Sequence, residues 1–380
     1  MCMVKTRPLN TINVKQHNRR QILHAIFNCE RTSQQEIAGK LGISVPTVLH
    51  NVKELHREGL IREVGEFEST GGRKAKAIAL VPDARHAIGV DITEDHVELV
   101  AVDLTGTVVR HKRLPLTFAC ADKYFRKMGT MLQSFVESGT DKAGGILGVG
   151  FSIPGIVSAD QGSIEFSHIL RVTDVATEQF HRELPWPCLF MNDANAAGFA
   201  ELFHQSGLRN AAYLSMSSSV GGAIFINGEL YHGDNQRSGE FGHNTVIPNG
   251  KACYCGKKGC LDAYCSSKIL ARECKGDLEA FFAGLRDGNK RCRKIWDEYL
   301  SHLAVAVNNI RMTFDCDVIV GGYVGSHMDE FLDELRARLA KLNTFGADGS
   351  YVKICNYKNE AAAAGAALKH VFAFVGGTVE

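Results

Sequence analysis

The stretch that decides the fold is Gly239-Glu240-Phe241-Gly242-His243, followed shortly by Cys253-Tyr254-Cys255-Gly256-Lys257-Lys258-Gly259-Cys260. One histidine and three cysteines form the donor set of a closed, tetrahedral structural zinc site. The glycines permit tight turns that aim several thiolates at one point. The alternative, four unrelated loop residues, fits such dense cysteine spacing poorly. The sequence therefore predicts a structural Zn²⁺, with no position left for a catalytic water, on the ligands His243, Cys253, Cys255 and Cys260.

The composition is that of a globular protein, and charge is distributed unevenly along the chain. The 380 residues are 45% hydrophobic and 22% charged, enough for two or three ordinary domains. Residues 1–82 hold 13 Lys and Arg against 7 Asp and Glu, and the remainder holds 30 against 35. A basic head on an acidic body favours a polyanionic partner such as nucleic acid, and a solvated basic surface is the alternative.

The sequence carries no sign of membrane insertion or export. No apolar run approaches the roughly 18 residues that span a bilayer, and the first 20 residues are polar and basic. Without a signal peptide, the twelve cysteines indicate free thiols and metal ligands rather than disulfides. We expect a cytoplasmic protein with no membrane partner.

The N-terminal residues predict a winged helix-turn-helix domain over 1–82. After a first helix from Asn18 to Cys29, Ser33 caps a helix from Gln34 to Leu41, and Gly42 ends it. Ser44 caps a third helix that reaches about Glu58. Two short helices joined by a glycine turn form the helix-turn-helix pattern. Strand-like residues around a polar tip then predict a hairpin wing.

The second helix of such a motif enters the DNA major groove. Small hydroxyl residues and an asparagine suit base edges, and basic wing residues suit phosphates. A protein-binding module or a structural cap is the alternative, and the basic wing favours double-stranded DNA. The predicted DNA contacts are Ser44, Val45, Pro46, Thr47, His50, Asn51, Lys53, Arg73, Lys74 and Lys76.

Behind a junction near Pro82, strands and helices alternate. Three strands, a helix and a fourth strand resemble the actin-like (ribonuclease H-like) half-domain of sugar kinases, and a second copy follows. We expect an α/β body whose two lobes enclose a cleft. The predicted divisions are a first lobe at 86–200, a second lobe with the metal loop at 201–355, and a C-terminal helix within 356–380 that packs back on the first lobe.

The whole chain resembles the ROK family (repressors, open reading frames and kinases), in its repressor branch. The most specific matches are the metal loop, continued by Leu261-Asp262, and Asn192-Asp193-Ala194-Asn195-Ala196-Ala197. The resemblance implies that the zinc loop orders a sugar site and that Asp193 stands where kinase members have a catalytic base. Asp262 replaces a longer Glu of the family. The sugar-binding residues so implied are Asn192, Asp193, Glu240, His243, Asp262 and Gly155.

The same resemblance indicates a regulator rather than an enzyme. Kinase members carry an Asp-x-Gly-x-Thr turn, where this chain has Asp91-Ile92-Thr93-Glu94-Asp95, and a Gly-Thr-Gly turn, where it has Ser217-Ser218-Ser219. We therefore expect a sugar effector that binds without being phosphorylated. A dimer, or a dimer of dimers, would read a pseudo-palindromic operator. The alternatives are an ATP-dependent sugar kinase with an added DNA-binding domain, and a regulator controlled by a protein partner.

Overall fold

The computed structural model describes residues 11–68, 74–139, 145–205, 207–346 and 348–376. The N-terminal domain consists of helices α1 (Thr11–Phe27), α2 (Gln34–Leu41) and α3 (Val45–Arg57) and strands β1 (Ile61–Glu66) and β2 (Lys76–Leu80). Ser33 and Glu36 form a reciprocal capping box at α2, and Gly42 ends that helix in the left-handed conformation. The predicted bounds of α2 are confirmed. The strands pair antiparallel, as the predicted wing requires.

The first sheet has the order β10-β6-β3-β4-β5, in which β3, β6 and β10 run parallel and β4 and β5 antiparallel. Its strands are β3 (His86–Ile92), β4 (His96–Asp103), β5 (Val108–Pro115), β6 (Ile146–Ile153) and β10 (Cys188–Asn192). Helix α4 (Asp122–Glu137) follows β5. A small sheet that sequence analysis missed is made by β7 (Ile156–Val157), β8 (Ser163–Ser167) and β9 (Val172–Ala176), followed by α5 (Glu178–His181).

The second sheet repeats the plan with the order β13-β12-β11-β14-β15. Its strands are β11 (Ala211–Met216), β12 (Val220–Ile226), β13 (Glu229–Leu230), β14 (Asp317–Gly321) and β15 (Val352–Ile354). The accompanying helices are α7 (Asp262–Cys265), α8 (Ser267–Ala271), α9 (Leu278–Arg286), α10 (Lys290–Phe314), α11 (Gly322–Gly325) and α12 (Leu332–Leu342). The helix predicted from Leu300 to Thr313 begins ten residues earlier, because Asn289 caps α10. The two-lobed α/β body is confirmed.

Two helices, α6 (Asp193–His204) and α13 (Ala361–Val375), pack against each other beside the first sheet. Their contact depends on small residues, because a Cβ at Gly365 would lie 1.7 Å from the carbonyl oxygen of Ala196. A Cβ at Gly89 of β3 would likewise lie 1.8 Å from the carbonyl oxygen of Ala363. The alanine-rich sequence of α13 thus permits backbone approach on both sides. This packing fixes the N-terminus of α6, where Asn192 and Asp193 stand.

The N-terminal domain contacts the body through the same pair of helices. The Phe27 ring at the end of α1 lies 5.5 Å from the Phe203 ring near the end of α6. Helix α1 also packs against α13. No described helix combines the length and apolar character needed to cross a bilayer. The predicted divisions between domains stay predictions.

Candidate functional site

The four predicted metal ligands come together. The ligand atoms of His243, Cys253, Cys255 and Cys260 all lie within 4.8 Å of one another. The Sγ of Cys253 is 3.8 Å from Nδ1 of His243, and the Sγ atoms of Cys255 and Cys260 are 3.7 Å apart. Sulfurs bound tetrahedrally at about 2.3 Å from one ion would lie about 3.8 Å apart. The cluster therefore has the dimensions of a metal site.

Backbone packing builds the loop that carries these ligands. His243 ends a short 3₁₀ turn, Phe241–His243, and a Cβ at the preceding Gly242 would lie 1.9 Å from the carbonyl oxygen of Val220. Gly259 has φ 81°, and a Cβ there would lie 1.8 Å from the carbonyl oxygen of Ile247. The Lys257 ammonium donates to the carbonyl oxygen of His243. Metal loop and strand β12 are thus packed backbone to backbone.

A cavity of about 400 Å³, here called the metal-side cavity, opens between the lobes beside this loop. Asn192 caps α6 by accepting from the backbone N–H of Asn195, and its amide donates to the carbonyl oxygen of Gly155. The cap of α6 is therefore Asn192, which leaves Asp193 facing the cavity. The predicted residues that line it are Gly155, Asn192, Asp193, Glu240 and His243.

Burial controls the charge of the two carboxyl groups in this cavity. It raises the pKa of Asp193 to about 6, and the nearby Glu240 charge adds to that shift. Burial also raises the pKa of Glu240, whereas the Arg237 guanidinium opposes that change. Near neutral pH Asp193 is mostly an ionised acceptor, the form that takes the strongest hydrogen bonds from hydroxyls.

Asp262 does not line the metal-side cavity, contrary to the predicted sugar contact. Its Oδ2 accepts from the backbone N–H of Val220 at 2.6 Å and lies 3.5 Å from the Tyr254 hydroxyl. The Asp262 side chain, which is shorter than the Glu that the family resemblance leads us to expect, is therefore hydrogen-bonded to the backbone of β12. Tyr254, rather than Asp262, lines the cavity in this region.

Several further side chains line this cavity without having been predicted, among them His168, Arg237 and Tyr254. Tyr254 and His168 face each other with ring centroids 5.5 Å apart, and both rings also contact His243. Arg237 lines the wall near Glu240. Tyr254 stands between two predicted ligands, which was a usable signal. Nothing in the sequence around His168 and Arg237 singled them out.

A second cavity of about 160 Å³ adjoins the first and shares Asp193 with it. We call it the loop-side cavity, since the segment after β3, Asp91-Ile92-Thr93-Glu94-Asp95, lines it together with Ser217-Ser218-Ser219. Burial raises the pKa of Asp91 to about 8, with the nearby Glu98 adding to the shift. The lining also includes Lys268 and Lys358, of which Lys358 pairs with Asp329 at 3.0 Å.

The predicted DNA-contact residues do not all lie at the surface of α3. Asn51 is only 2% exposed, and its amide donates to the carbonyl oxygen of Thr47, so the predicted base contact is wrong. The periodicity of the helix turns Asn51 inward beside Val48 and Val52. The exposed predicted residues of this region are Ser44, Val45, Pro46, His50 and Lys53. Thr47, partly exposed, shares a hydrogen bond with Ser44.

The wing is described only in part. Lys74 is exposed, and Arg73 lies outside the described residues. Lys76 forms an ion pair with Glu63, in which Nζ lies 2.8 Å from Oε1. Leu49, which was not predicted, is exposed on the same helix as Val45 and lines a groove between α3 and the wing. Methyl-bearing side chains of this kind contact the methyl group of thymine.

Comparison with known proteins agrees with this architecture. Residues 87–370 match the ROK family, and residues 15–62 match the winged helix-turn-helix DNA-binding family. The chain is 29% identical over 262 residues to the xylose repressor of Bacillus spizizenii, covering 68% of each protein.

Two solved structures share the fold. One is a ROK family transcriptional regulator described as a homologue of the Escherichia coli Mlc protein, with TM-score 0.74 and 18% identity over 94% of this chain and 97% of that one. The other is a ROK family glucokinase from Streptomyces griseus in complex with glucose and AMPPNP, with TM-score 0.66 and 21% identity over 75% and 98%. The family match spans most of the chain, and this protein is therefore a member of the ROK family.

Proposed function

We propose that this protein is a transcriptional regulator, a repressor of carbohydrate genes, that binds a sugar between its lobes without phosphorylating it. The observation that carries the proposal is the joining, in one chain, of an exposed helix-turn-helix surface to a cavity of sugar size that contains the carboxyl groups of Asp193 and Glu240. The similarity to a xylose repressor supports it. Such a protein would act in the cytoplasm, where the DNA lies.

The metal-side cavity has the chemistry that a sugar requires. Asp193 and Glu240 supply carboxylates that accept hydrogen bonds from neighbouring hydroxyls, and the Asn192 amide can donate and accept. Tyr254 and His168 add ring surface for the apolar C–H face of the sugar. In this proposal Asp262 acts through Tyr254 and the β12 backbone rather than on the sugar.

We assign the metal cluster to a structural Zn²⁺. Thiolate and imidazole donors suit zinc, and the spacing of the sulfurs fits tetrahedral coordination. Four protein ligands complete that coordination, so the ion would hold the loop in place. Because Glu240, His243 and Tyr254 all lie on or beside this loop, metal binding would preserve the wall of the cavity.

The loop-side cavity supports binding without phosphoryl transfer. Thr93 stands where a kinase turn has glycine, and Glu94 and Asp95 would repel nucleotide phosphates. Its volume of about 160 Å³ is also small for a nucleotide. Lys268 is the lining cation that favours the alternative of ATP binding, which makes the assay for kinase activity a necessary part of the test.

Helix α6 offers a route from the sugar to the DNA-binding domain. Asn192 and Asp193 stand at its N-terminus in the cleft, and Phe203 near its other end packs on Phe27 of α1. A sugar can shift the DNA-binding equilibrium only by binding one arrangement of the lobes better than another. Movement of α6 on closure would change the placement of α1. We further propose a homodimer, or a dimer of dimers, on a pseudo-palindromic operator.

Fluorescence anisotropy of the full chain on its own upstream DNA, with a panel of pentoses, hexoses and amino sugars, tests this function. We expect salt-sensitive binding that one sugar weakens, and no ADP release when ATP accompanies that sugar. The Asp193→Asn variant should still bind DNA but respond only to much higher concentrations of the sugar. Specific DNA binding that no sugar changes would point to a protein partner, and steady ADP release would point to the kinase.

A further inference from the structure

A third cavity, of about 490 Å³, lies against α6 and α13 and takes no part in the sugar or DNA sites proposed above. We call it the α6–α13 cavity. Residues of both lobes line it, including Ser158 and Leu189 from the first and Asn227 to Leu230 from the second. It shares Asn192 with the metal-side cavity. Its volume is that of a pocket for a small metabolite.

The lining contains an ammonium group without a counter-ion. Lys369 of α13 is half-buried, and its Nζ lies 4.4 Å from the centroid of the Phe199 ring. No carboxylate in the described part of the chain forms an ion pair with it, and burial lowers the pKa of its ammonium. A lysine usually keeps its ammonium in water and buries only its methylene stem. Partial burial of this charge without a counter-ion costs free energy.

The other polar groups of the cavity can complete an anion site. The side-chain oxygen of Asn195 is buried and has no hydrogen-bond partner among the described residues. Asn195 lines the cavity, and its NH₂ group is the part of the amide that can donate to an anion. Gln236 and His232 are further polar lining residues, and burial, followed by the Lys369 charge, lowers the pKa of His232. Glu229, which is exposed, is the acidic residue of the lining.

We propose that the α6–α13 cavity is a second ligand site, which binds a small metabolite anion, a phosphate monoester or a carboxylate, through Lys369 and the Asn195 amide. A charge-assisted hydrogen bond to the anion would supply the missing counter-ion. Because both lobes line the cavity, an anion held there contacts the same lobes that enclose the sugar. Through Asn192 and α6 the two sites are linked, so each ligand would change the affinity for the other by the same factor.

Isothermal titration calorimetry of the full chain at constant ionic strength tests this proposal. The probes are inorganic phosphate, glucose 6-phosphate and citrate, which separate phosphate from carboxylate chemistry. We expect saturable binding of at least one probe, weakened more than tenfold in Lys369→Met. Met keeps an unbranched side chain of nearly the same length over Phe199 and removes the ammonium group. The control Lys123→Met removes an exposed lysine of α4 outside this cavity and should leave the titration unchanged.

A second variant keeps the proposal testable if Lys369→Met fails to fold. Asn195→Asp adds a carboxylate to the lining and should abolish anion binding while Lys369 remains. Equal affinity in wild type and a folded Lys369 variant, or no saturable binding of any probe, would show the proposal to be wrong. The proposal would also be wrong if the wild type bound no anion and light scattering showed that Lys369→Met dissociates an oligomer. A second copy of the chain would then cover the cavity.

Discussion

The metal-side and loop-side cavities adjoin each other and share Asp193, yet they differ in what they can bind. The first, about 400 Å³, has hydroxyl-binding groups held by α6 and by the metal loop. The second, about 160 Å³, has Glu94 and Asp95 where a nucleotide would bring more negative charge. The difference supports the proposal that the protein binds a sugar without phosphorylating it, so that binding energy would drive a conformational change rather than catalysis.

The largest effect should come from removing the metal ligand Cys260. We expect Cys260→Ser to lower the metal affinity by more than about 100-fold, since even partners outside the coordination sphere are worth about 10- to 100-fold. Sugar binding should fall with it, because Glu240 and Tyr254 depend on the loop. Metal analysis by mass spectrometry and sugar titration measure both. Cys120→Ser, a change at an exposed cysteine, is the control. Normal sugar affinity in a metal-free protein would show that the sugar-binding cavity does not depend on the metal loop.

The next largest effect comes from replacing one carboxylate in each of the two cavities and comparing the losses in sugar affinity. Asp193→Asn should weaken sugar binding about 10- to 100-fold, the value of a lost charged hydrogen bond of about 1.5–3 kcal/mol. Asp91→Asn should change it less than about threefold. Burial raises the pKa of Asp91 to about 8, so this group is mostly neutral at pH 7 and a neutral amide resembles it. Titration calorimetry at pH 7 compares the two variants. A larger loss from Asp91→Asn would reverse the assignment of the cavities.

Acid should weaken sugar binding in the wild type. Burial raises the pKa of Asp193 to about 6. Below that pH the carboxyl is protonated and loses acceptor strength, and above it the carboxylate is fully present. We expect the affinity to fall roughly tenfold from pH 6.5 to 5. In Asp193→Asn that fall should shrink to the smaller contribution of Glu240, whose pKa burial also raises. An affinity that rises in acid would mean that the neutral acid donates to the sugar.

The sequence predicted those features that depend on local signals. Helix α2 was placed correctly because Ser33 and Gly42 act on their own neighbours. The metal cluster was predicted because its ligands lie within one short segment. The inward position of Asn51 was missed, although it follows from helical spacing relative to Val48 and Val52. The role of Asp262 could not be predicted, because it depends on the backbone of Val220, 42 residues away in the chain.

The smallest effect concerns Tyr254, which lines the metal-side cavity and whose hydroxyl lies 3.5 Å from Oδ2 of that same Asp262. Tyr254→Phe keeps the ring contacts with His168 and His243 and removes only the hydroxyl near Asp262. A neutral hydrogen bond contributes about 0.5–1.5 kcal/mol, so the affinity should fall about two- to tenfold. The loss should be greatest for the sugar whose hydroxyl faces this ring, which would change the order of affinities across a panel of pentoses and hexoses. Tyr231→Phe, at an exposed tyrosine outside this cavity, is the control. An unchanged order of affinities would show that Tyr254 does not determine which sugar the protein prefers.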